Sequence, residues 1–418
     1  MAAPTIDLDR ARTLLRAGSD DVRDAGPEDA VDGVPATFVA RPASTEEVAA
    51  TLAAASSAGL AVVPRGAGTK LTWGLPPERV DLVLETSRMS AVVEHAAGDL
   101  IVKAQAGAPL AAVQEAVAQA GQRLALDDPL GGATVGGALA TNLSGPRRMA
   151  FGSARDLLIG ITIVRADGVV AKAGGRVVKN VAGSDLGKLM IGSFGTLAVL
   201  TEAVFRLHPL PAARRLVSVP FERPEEAQRL VQGVLHAQVV PQALEVETTE
   251  GGGGTVTVLL EGIEAGVEGR AATARSRLGA AAEVAEVPAG WGAFPWAGAA
   301  ERPIALKATF PLSGLARVLA AATEAGAGLR LRGSAGAGVV HGVLPGSTDP
   351  ATAAAVVRRL RAGCTSVGGS LVVVDAPPAV KEATDVWGPV HGLDLMRRVK
   401  EQFDPERRLA PGRFVGGI

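Results

Sequence analysis

Short blocks of alternating apolar and polar residues, punctuated by glycine and proline, divide the chain into strands and helices. From Pro42 to Pro64, Ser44 with Glu47 three residues later makes a capping box and an alanine-rich helix follows. Gly59 stops that helix, and Leu60 to Val63 is a short strand that empties into a glycine loop. Leu82 to Glu85 and Leu100 to Ala104 read as further strands, and Pro109 opens a helix that Gly121 ends. Leu158 to Arg165, the Asp167-Gly168 turn and Val169 to Ala173 predict a β-hairpin, with Thr196 to Leu207 as one more strand. His208-Pro209-Leu210-Pro211 breaks the pattern and marks a domain boundary.

Beyond it the order is strand (Leu216 to Phe221), helix (Pro224 to Ala237), two strands (Ala243 to Thr248, Thr255 to Glu261) and helix (Glu264 to Leu278). The order recurs with a strand from Ile304 to Phe310, a helix capped by Ser313 and strands Leu329 to Arg332 and Gly338 to Leu344. A helix from Pro350 to Ala362 and a strand from Ser370 to Asp375 complete it. Two tandem β-α-β-β-α units predict one antiparallel sheet with helices on one face. Gly251 to Gly254 reads as a hairpin tip, since no helix opens after it. The expected organisation is an N-terminal extension (1–37), a first domain (38–210), an α+β domain (211–376) and a C-terminal segment (377–418) that returns to the first domain. That segment contains a helix from Leu393 to Phe403.

A formal net charge of -1, with no Lys/Arg stripe, argues against nucleic acid as a partner. Charges recur every few residues at the start and no segment approaches the roughly 20 apolar residues of a membrane span, so a cytoplasmic protein without direct membrane insertion is expected. The single cysteine, Cys364, rules out an internal disulfide, a thiolate zinc cage and a cysteine-held iron–sulfur cluster within the chain. With five histidines and no tyrosine, side chains that move protons near neutral pH are scarce.

Two loops carry candidate chemistry. Pro64-Arg65-Gly66-Ala67-Gly68-Thr69-Lys70 follows a strand, and its glycines let successive N–H groups turn toward one point, as a pyrophosphate requires; an ordinary turn has the same composition. The second runs from Pro129 to Asn142, with Gly131, Gly132, Thr134, Gly136, Gly137, Ala140 and Thr141, where small side chains allow a flat ring close to the backbone. No G-x-G-x-x-G opens a helix after a strand, and Gly183 to Lys188 is one residue short of P-loop spacing, which excludes Rossmann and P-loop readings.

Residues 38 to 207 resemble the FAD-binding domain of the vanillyl-alcohol oxidase and p-cresol methylhydroxylase superfamily. The two loops, Asn142-Leu143-Ser144-Gly145, Phe151 to Asp156, Val178 to Leu186 and Gly192 to Leu197 stand in the family's order, and Phe403 to Arg413 is similar to its closing segment. The resemblance implies a two-lobed FAD-binding domain beside the α+β domain. The first loop, Gly74, the stretch from Pro129 to Gly145, Gly152, Gly195 and Val199 would then wrap FAD. Members that bond flavin covalently to the first loop use a histidine at its end; Thr69 stands there, so FAD is expected to be non-covalent. Ser184 replaces a usual aromatic and Ala410 a usual asparagine.

Over nearly the whole chain the resemblance extends to the FAD-linked 2-hydroxy acid dehydrogenases, bacterial glycolate oxidase among them. Their segment G-H-x-G-D-G-N-x-H supplies metal ligands and a base; here it reads Gly333-Ser334-Ala335-Gly336-Ala337-Gly338-Val339-Val340-His341. One imidazole does not hold a metal, so no metal site is expected. His341 is either a residual base or a packed strand residue flanked by Val340 and Val343. Lys307 and Arg332, with Arg330, could hold a substrate carboxylate, although Lys307 also reads as a snorkelling edge residue. The eroded segment implies an FAD-binding subunit of a glycolate oxidase-type complex, beside a catalytic flavoprotein subunit and an iron–sulfur subunit, through which it could lie at a membrane. The alternative is a self-sufficient FAD-dependent oxidoreductase acting on a hydroxy acid or another alcohol. Trp291 and Trp296 are candidates for a docking patch or for a local core cover.

Overall fold

A computed structural model describes residues 6–175 and 186–418. Its first lobe is a four-stranded sheet in the order Val22–Asp24, Phe38–Ala40, Leu82–Glu85, Val62–Arg65, with the last three strands mutually parallel. Residues 6–37 are part of this lobe rather than an appendage. Asp7 caps the helix Leu8–Gly18, whose Ala11 and Leu15 are buried in the same core as Val48 and Leu52 of the helix Thr45–Ala58. The Ser44 hydroxyl accepts from Glu47 N, and Gly59 closes that helix at φ 70°, both as its sequence dictates.

The second lobe is a five-stranded antiparallel sheet in the order Val92–Ala96, Ile101–Gln105, Val199–Arg206, Leu158–Val164, Val170–Gly174. Thr134 caps the helix Val135–Thr141, which lies against this sheet and continues the second glycine loop. The stretch Val178 to Asp185, including Ser184, falls outside the described residues.

The tandem units form one eight-stranded antiparallel sheet. Its order is Glu283–Ala285, Ala213–Phe221, Gly254–Gly262, Ala243–Thr248, then Arg330–Ser334, Val339–Leu344, Ile304–Thr309, Ser370–Asp375. Each half follows β-α-β-β-α-β with spatial order 4-1-3-2, and the halves join through their second strands, Glu245 opposite Ser334 and Glu247 opposite Arg332. The period of two then separates the faces. Leu244, Val246, Leu306, Leu331 and Val340 are buried with the helices Pro224–Leu235, Glu264–Leu278, Leu315–Ala325 and Pro350–Ser366. Glu245, Glu261, Lys307, Arg332, Ser334 and His341 lie on the opposite face, toward the first domain.

Charge pairs fasten that face. Glu261, its side chain 1 % exposed, accepts from Arg123 (2.6 Å) and Arg147 (2.8 Å), and Arg147 also reaches Asp127. Arg302 bridges Asp32 and Asp375, and Lys381 donates to Asp32 and to the Thr72 carbonyl. Farther along the C-terminal segment, Lys400 binds Asp404 and the carbonyls of Thr196 and Leu409, and Ala410 N donates to Val62 O. Ala410 holds φ 43°, a left-handed conformation that asparagine tolerates better than alanine, which gives a backbone reason for the family's usual residue.

Candidate functional site

The two glycine loops meet in one cleft between the lobes of the first domain, with room for about 90 Å³ of solvent. Pro64 to Lys70 form one wall; Thr134, Gly136, Gly137, Ala140 and Thr141 form another, with Gly195 and Val199 beside them. Gly66 touches Thr134 so closely that an added Cβ would stand 2.2 Å from its hydroxyl. Gly68 turns the first loop at φ 78°. The N–H groups of Gly66, Ala67, Gly68 and Thr69 have no acceptor among the described residues, so the loop offers a nest of free donors.

Several expected cofactor contacts lie elsewhere. The Arg65 guanidinium is turned to Asp29 (2.8 Å) and Glu85 (2.6 Å). Gly131 and Gly132 form the turn that leads to the cleft, held by Asp128, and the Pro129 carbonyl accepts from Phe294 N. Gly74 packs on the tail at Arg413, Asn142 ends the capped helix at φ 51°, and Gly152 packs on Asp156. The cleft also takes in Phe194, Thr86 and Arg413, which carried no glycine signal.

Ser144 and Gly145 instead line a second, smaller chamber between the first domain and the polar face of the large sheet, with Arg148, Glu245, Arg332, Ser334 and His341. It has room for about 20 Å³ of solvent, on the order of one water molecule. The segment Gly292–Pro295 closes it: the Phe294 ring lies 4.3 Å from the His341 ring and 4.7 Å from Trp296. Trp296 is thus a core residue, and Trp291 is partly buried against Leu216 and Leu259. Lys307 and Arg332 flank His341 on neighbouring strands, each directly opposite it. Among the described residues, the buried Glu245 Oε1 and Ser334 Oγ have no hydrogen-bond partner beyond each other.

A family profile described as an FAD binding domain matches residues 36–174, and one described as the C-terminal domain of FAD linked oxidases matches residues 382–414. An alkyldihydroxyacetonephosphate synthase superposes with a TM-score of 0.72 over 98% of this chain and 86% of its own, at 16% identity. A chitooligosaccharide oxidase gives 0.71 over 96% and 97%, at 17% identity. The chain shares the fold of these proteins, and its residues 36–174 match an FAD-binding domain. Glycolate oxidase subunit GlcD of Bacillus subtilis is 33% identical over 208 residues, covering 50% of this chain and 44% of that protein. Glycolate oxidase subunit GlcE of Escherichia coli is 37% identical over 177 residues, 41% and 50% of the two. A D-lactate dehydrogenase of Archaeoglobus fulgidus is 35% identical over 207 residues, 50% and 46%. The matched region therefore spans about half the length of these relatives.

The cleft of this FAD-binding domain fits its cofactor. Among the described residues no acidic side chain lines it, the N–H groups of residues 66 to 69 point to an anion, and Gly136, Gly137 and Ala140 leave the backbone accessible to a flat ring. FAD supplies a ring that accepts a hydride, and the loops and the capped helix would hold it.

The electrostatics of the chamber disfavour base chemistry at neutral pH. Burial, reinforced by Lys307 and Arg148, holds His341 well below the usual imidazole range. Burial pushes Glu245 up to about 8 against the pull of Arg332, so it is protonated at pH 7. Burial and the neighbouring Arg148 lower Lys307 to about 8. Among the described residues no group of three or more His, Cys, Asp or Glu could hold a metal ion. Glu245 and Arg148 escaped the sequence reading. The only signal available was a glutamate at the third position of an apolar strand, alternating toward the face that the first domain covers.

Proposed function

We propose that this chain is the FAD-binding subunit of a glycolate oxidase-type complex that oxidises a small 2-hydroxy acid, holding FAD non-covalently beside a catalytic flavoprotein subunit and an iron–sulfur subunit. The observation that carries the reading is the chamber. Its one imidazole has lost basicity, its one carboxyl group is protonated at pH 7, and Phe294 fills the space above His341. Oxidation of a hydroxy acid needs a base for the hydroxyl proton; His341 is a weak one and Glu245 is mostly protonated at pH 7. The names of GlcD and GlcE support assembly with partner chains, and Thr69 at the end of the first loop supports a dissociable flavin. A cytoplasmic protein, held at a membrane only through partners, is consistent with the absence, among the described residues, of a helix long and apolar enough to cross one.

The test is a visible spectrum of the isolated chain, repeated anaerobically with glycolate and then D-lactate. The expected result is a flavin band that is released on denaturation and that neither acid bleaches. Rapid bleaching would overturn the accessory reading.

One observation favours the alternative, a stand-alone FAD-dependent oxidoreductase. Arg148 and Lys307 make no ion pair among the described residues and, with Arg332, could hold a carboxylate near Glu245. On that reading Glu245→Gln would slow bleaching by about 10²–10⁴-fold, the usual contribution of a positioned acid or base, with FAD content unchanged.

A further inference from the structure

Among the described residues, those that line the cofactor cleft include three bases and no acid. Arg65 is committed to Asp29 and Glu85. Arg413 donates to the carbonyls of Leu71 (2.6 Å) and Trp73 (2.9 Å). Lys70 differs from both. It is 7% exposed, its ammonium donates to Thr69 Oγ1 at 2.8 Å, and it forms no ion pair among the described residues. The nearest acid that it feels, Asp128, is engaged by the N–H groups of Gly131 and Ala133. A buried ammonium without a counter-ion costs several kcal/mol, so its place in a cleft built from free N–H donors calls for an anionic occupant.

We propose that Lys70 is the counter-charge of the cofactor's pyrophosphate, completing the anion nest formed by the N–H groups of residues 66 to 69. The inference rests on the reading of the cleft as the FAD site and adds a full positive charge to what the glycine loops supply as dipoles. The first loop alone would bind a diphosphate through backbone groups; the lysine makes that recognition dependent on charge, and hence on salt and pH. Burial lowers the Lys70 ammonium to about 8. An anion in the cleft raises it, so affinity is constant below pH 8 and falls as pH rises past it. The charged groups that face it are Asp128, Arg65, which is paired with Asp29 and Glu85, and Arg413, which burial lowers only to about 10, so Lys70 is the group assigned to that window.

The test is a titration of the full-length chain, freed of flavin, with FAD and separately with riboflavin, which has the ring but no phosphate. In Lys70→Met, FAD affinity is expected to fall about 30- to 100-fold, or roughly 2–3 kcal/mol. Riboflavin affinity should be unchanged, and the decline of FAD affinity above about pH 8 should disappear. Inorganic pyrophosphate should compete with FAD in the wild type and not in Lys70→Met, and Lys70→Arg should keep most of the affinity. Equal losses for FAD and riboflavin, or no loss for FAD, would overturn the assignment. Failure of the wild-type chain itself to bind FAD would instead overturn the reading of the cleft.

Discussion

Glu261→Gln is expected to lower the unfolding free energy by about 3 kcal/mol, the range for breaking a buried ion pair from one side. It should lower the melting temperature by roughly 6–12 °C. The carboxylate sits on the inner face of the large sheet, 1 % exposed, with Arg123 on one oxygen and Arg147 on the other. Both arginines belong to the first domain, so one side chain joins the two domains. Asp127 still compensates Arg147 in the variant, but Arg123 loses its only ion-pair partner among the described residues, retaining its position over the Phe151 ring at 4.9 Å. Glu247→Gln is the control. It lies on the neighbouring strand Ala243–Thr248, its side chain is 59% exposed, and its contact with Arg332 is 3.9 Å long, so its loss should change stability by no more than about 0.5 kcal/mol. The pH dependence has a defined sign. Burial alone would raise Glu261, but the two arginines outweigh it and hold it below the ordinary glutamate value. Its contribution is therefore complete above the unfolded pKa of about 4.3 and is lost as pH falls through the lower folded value. Wild type should lose stability through that window, and Glu261→Gln should lose less. Equal acid sensitivity in the two proteins would place the linkage elsewhere.

The contrast between Glu261 or Glu245 and Glu247 also marks where the sequence stops being informative. The repeated strand–helix order of the second domain is legible because alternation and caps are local: Ala243–Thr248 and Glu264–Leu278 fall where the pattern puts them. The edge strand Glu283–Ala285 escapes, since its three residues are exposed and carry no apolar face. The helix Val135–Thr141 reads as loop because Gly136 and Gly137 depress its propensity; Thr134 and the sheet beneath it decide the matter. At the chamber the difficulty is of another kind. In Ala-Leu-Glu-Val-Glu-Thr the two glutamates are equivalent by period, yet Glu245 is 6% exposed and Glu247 faces solvent, because the first domain covers one end of the sheet face and not the other. Arg147 and Arg148 are likewise neighbours of one type. The first bridges Asp127 and Glu261, while the second enters the chamber with no ion pair among the described residues. Which member of such a pair is structural depends on contacts more than a hundred residues away in sequence. The two glycine loops were readable for the opposite reason, since their chemistry lies in consecutive backbone groups.

Gly66→Val is expected to abolish FAD binding while leaving the fold in place. Gly66 does not need a left-handed backbone; what it needs is the absence of a side chain, because a Cβ there would stand 2.2 Å from Thr134 Oγ1 and within 3.4 Å of both other side-chain carbons of that threonine. Thr134 cannot retreat without cost. Its hydroxyl accepts from Gly137 N and starts the helix Val135–Thr141, so displacing it removes a cap worth about 1 kcal/mol. Valine would therefore spread the two glycine loops apart along the cleft they share. Because a pyrophosphate nest works only while its N–H groups converge, FAD affinity should fall by at least about 100-fold, or roughly 2.7 kcal/mol. The melting temperature of the flavin-free protein should fall by only a few degrees, in line with the lost cap. Gly66→Ala should lie between, and Gly98→Ala, whose added Cβ would meet nothing within 4 Å, should bind like wild type. The measurement is flavin content after purification, followed by titration of the flavin-free chain. A Gly66→Val protein that binds FAD normally would mean that the cleft is not the cofactor site, whereas one that loses both FAD and riboflavin is the expected outcome of separating the walls. That pattern also distinguishes this variant from Lys70→Met, in which the walls stay together and only the phosphate-dependent part of the affinity is lost.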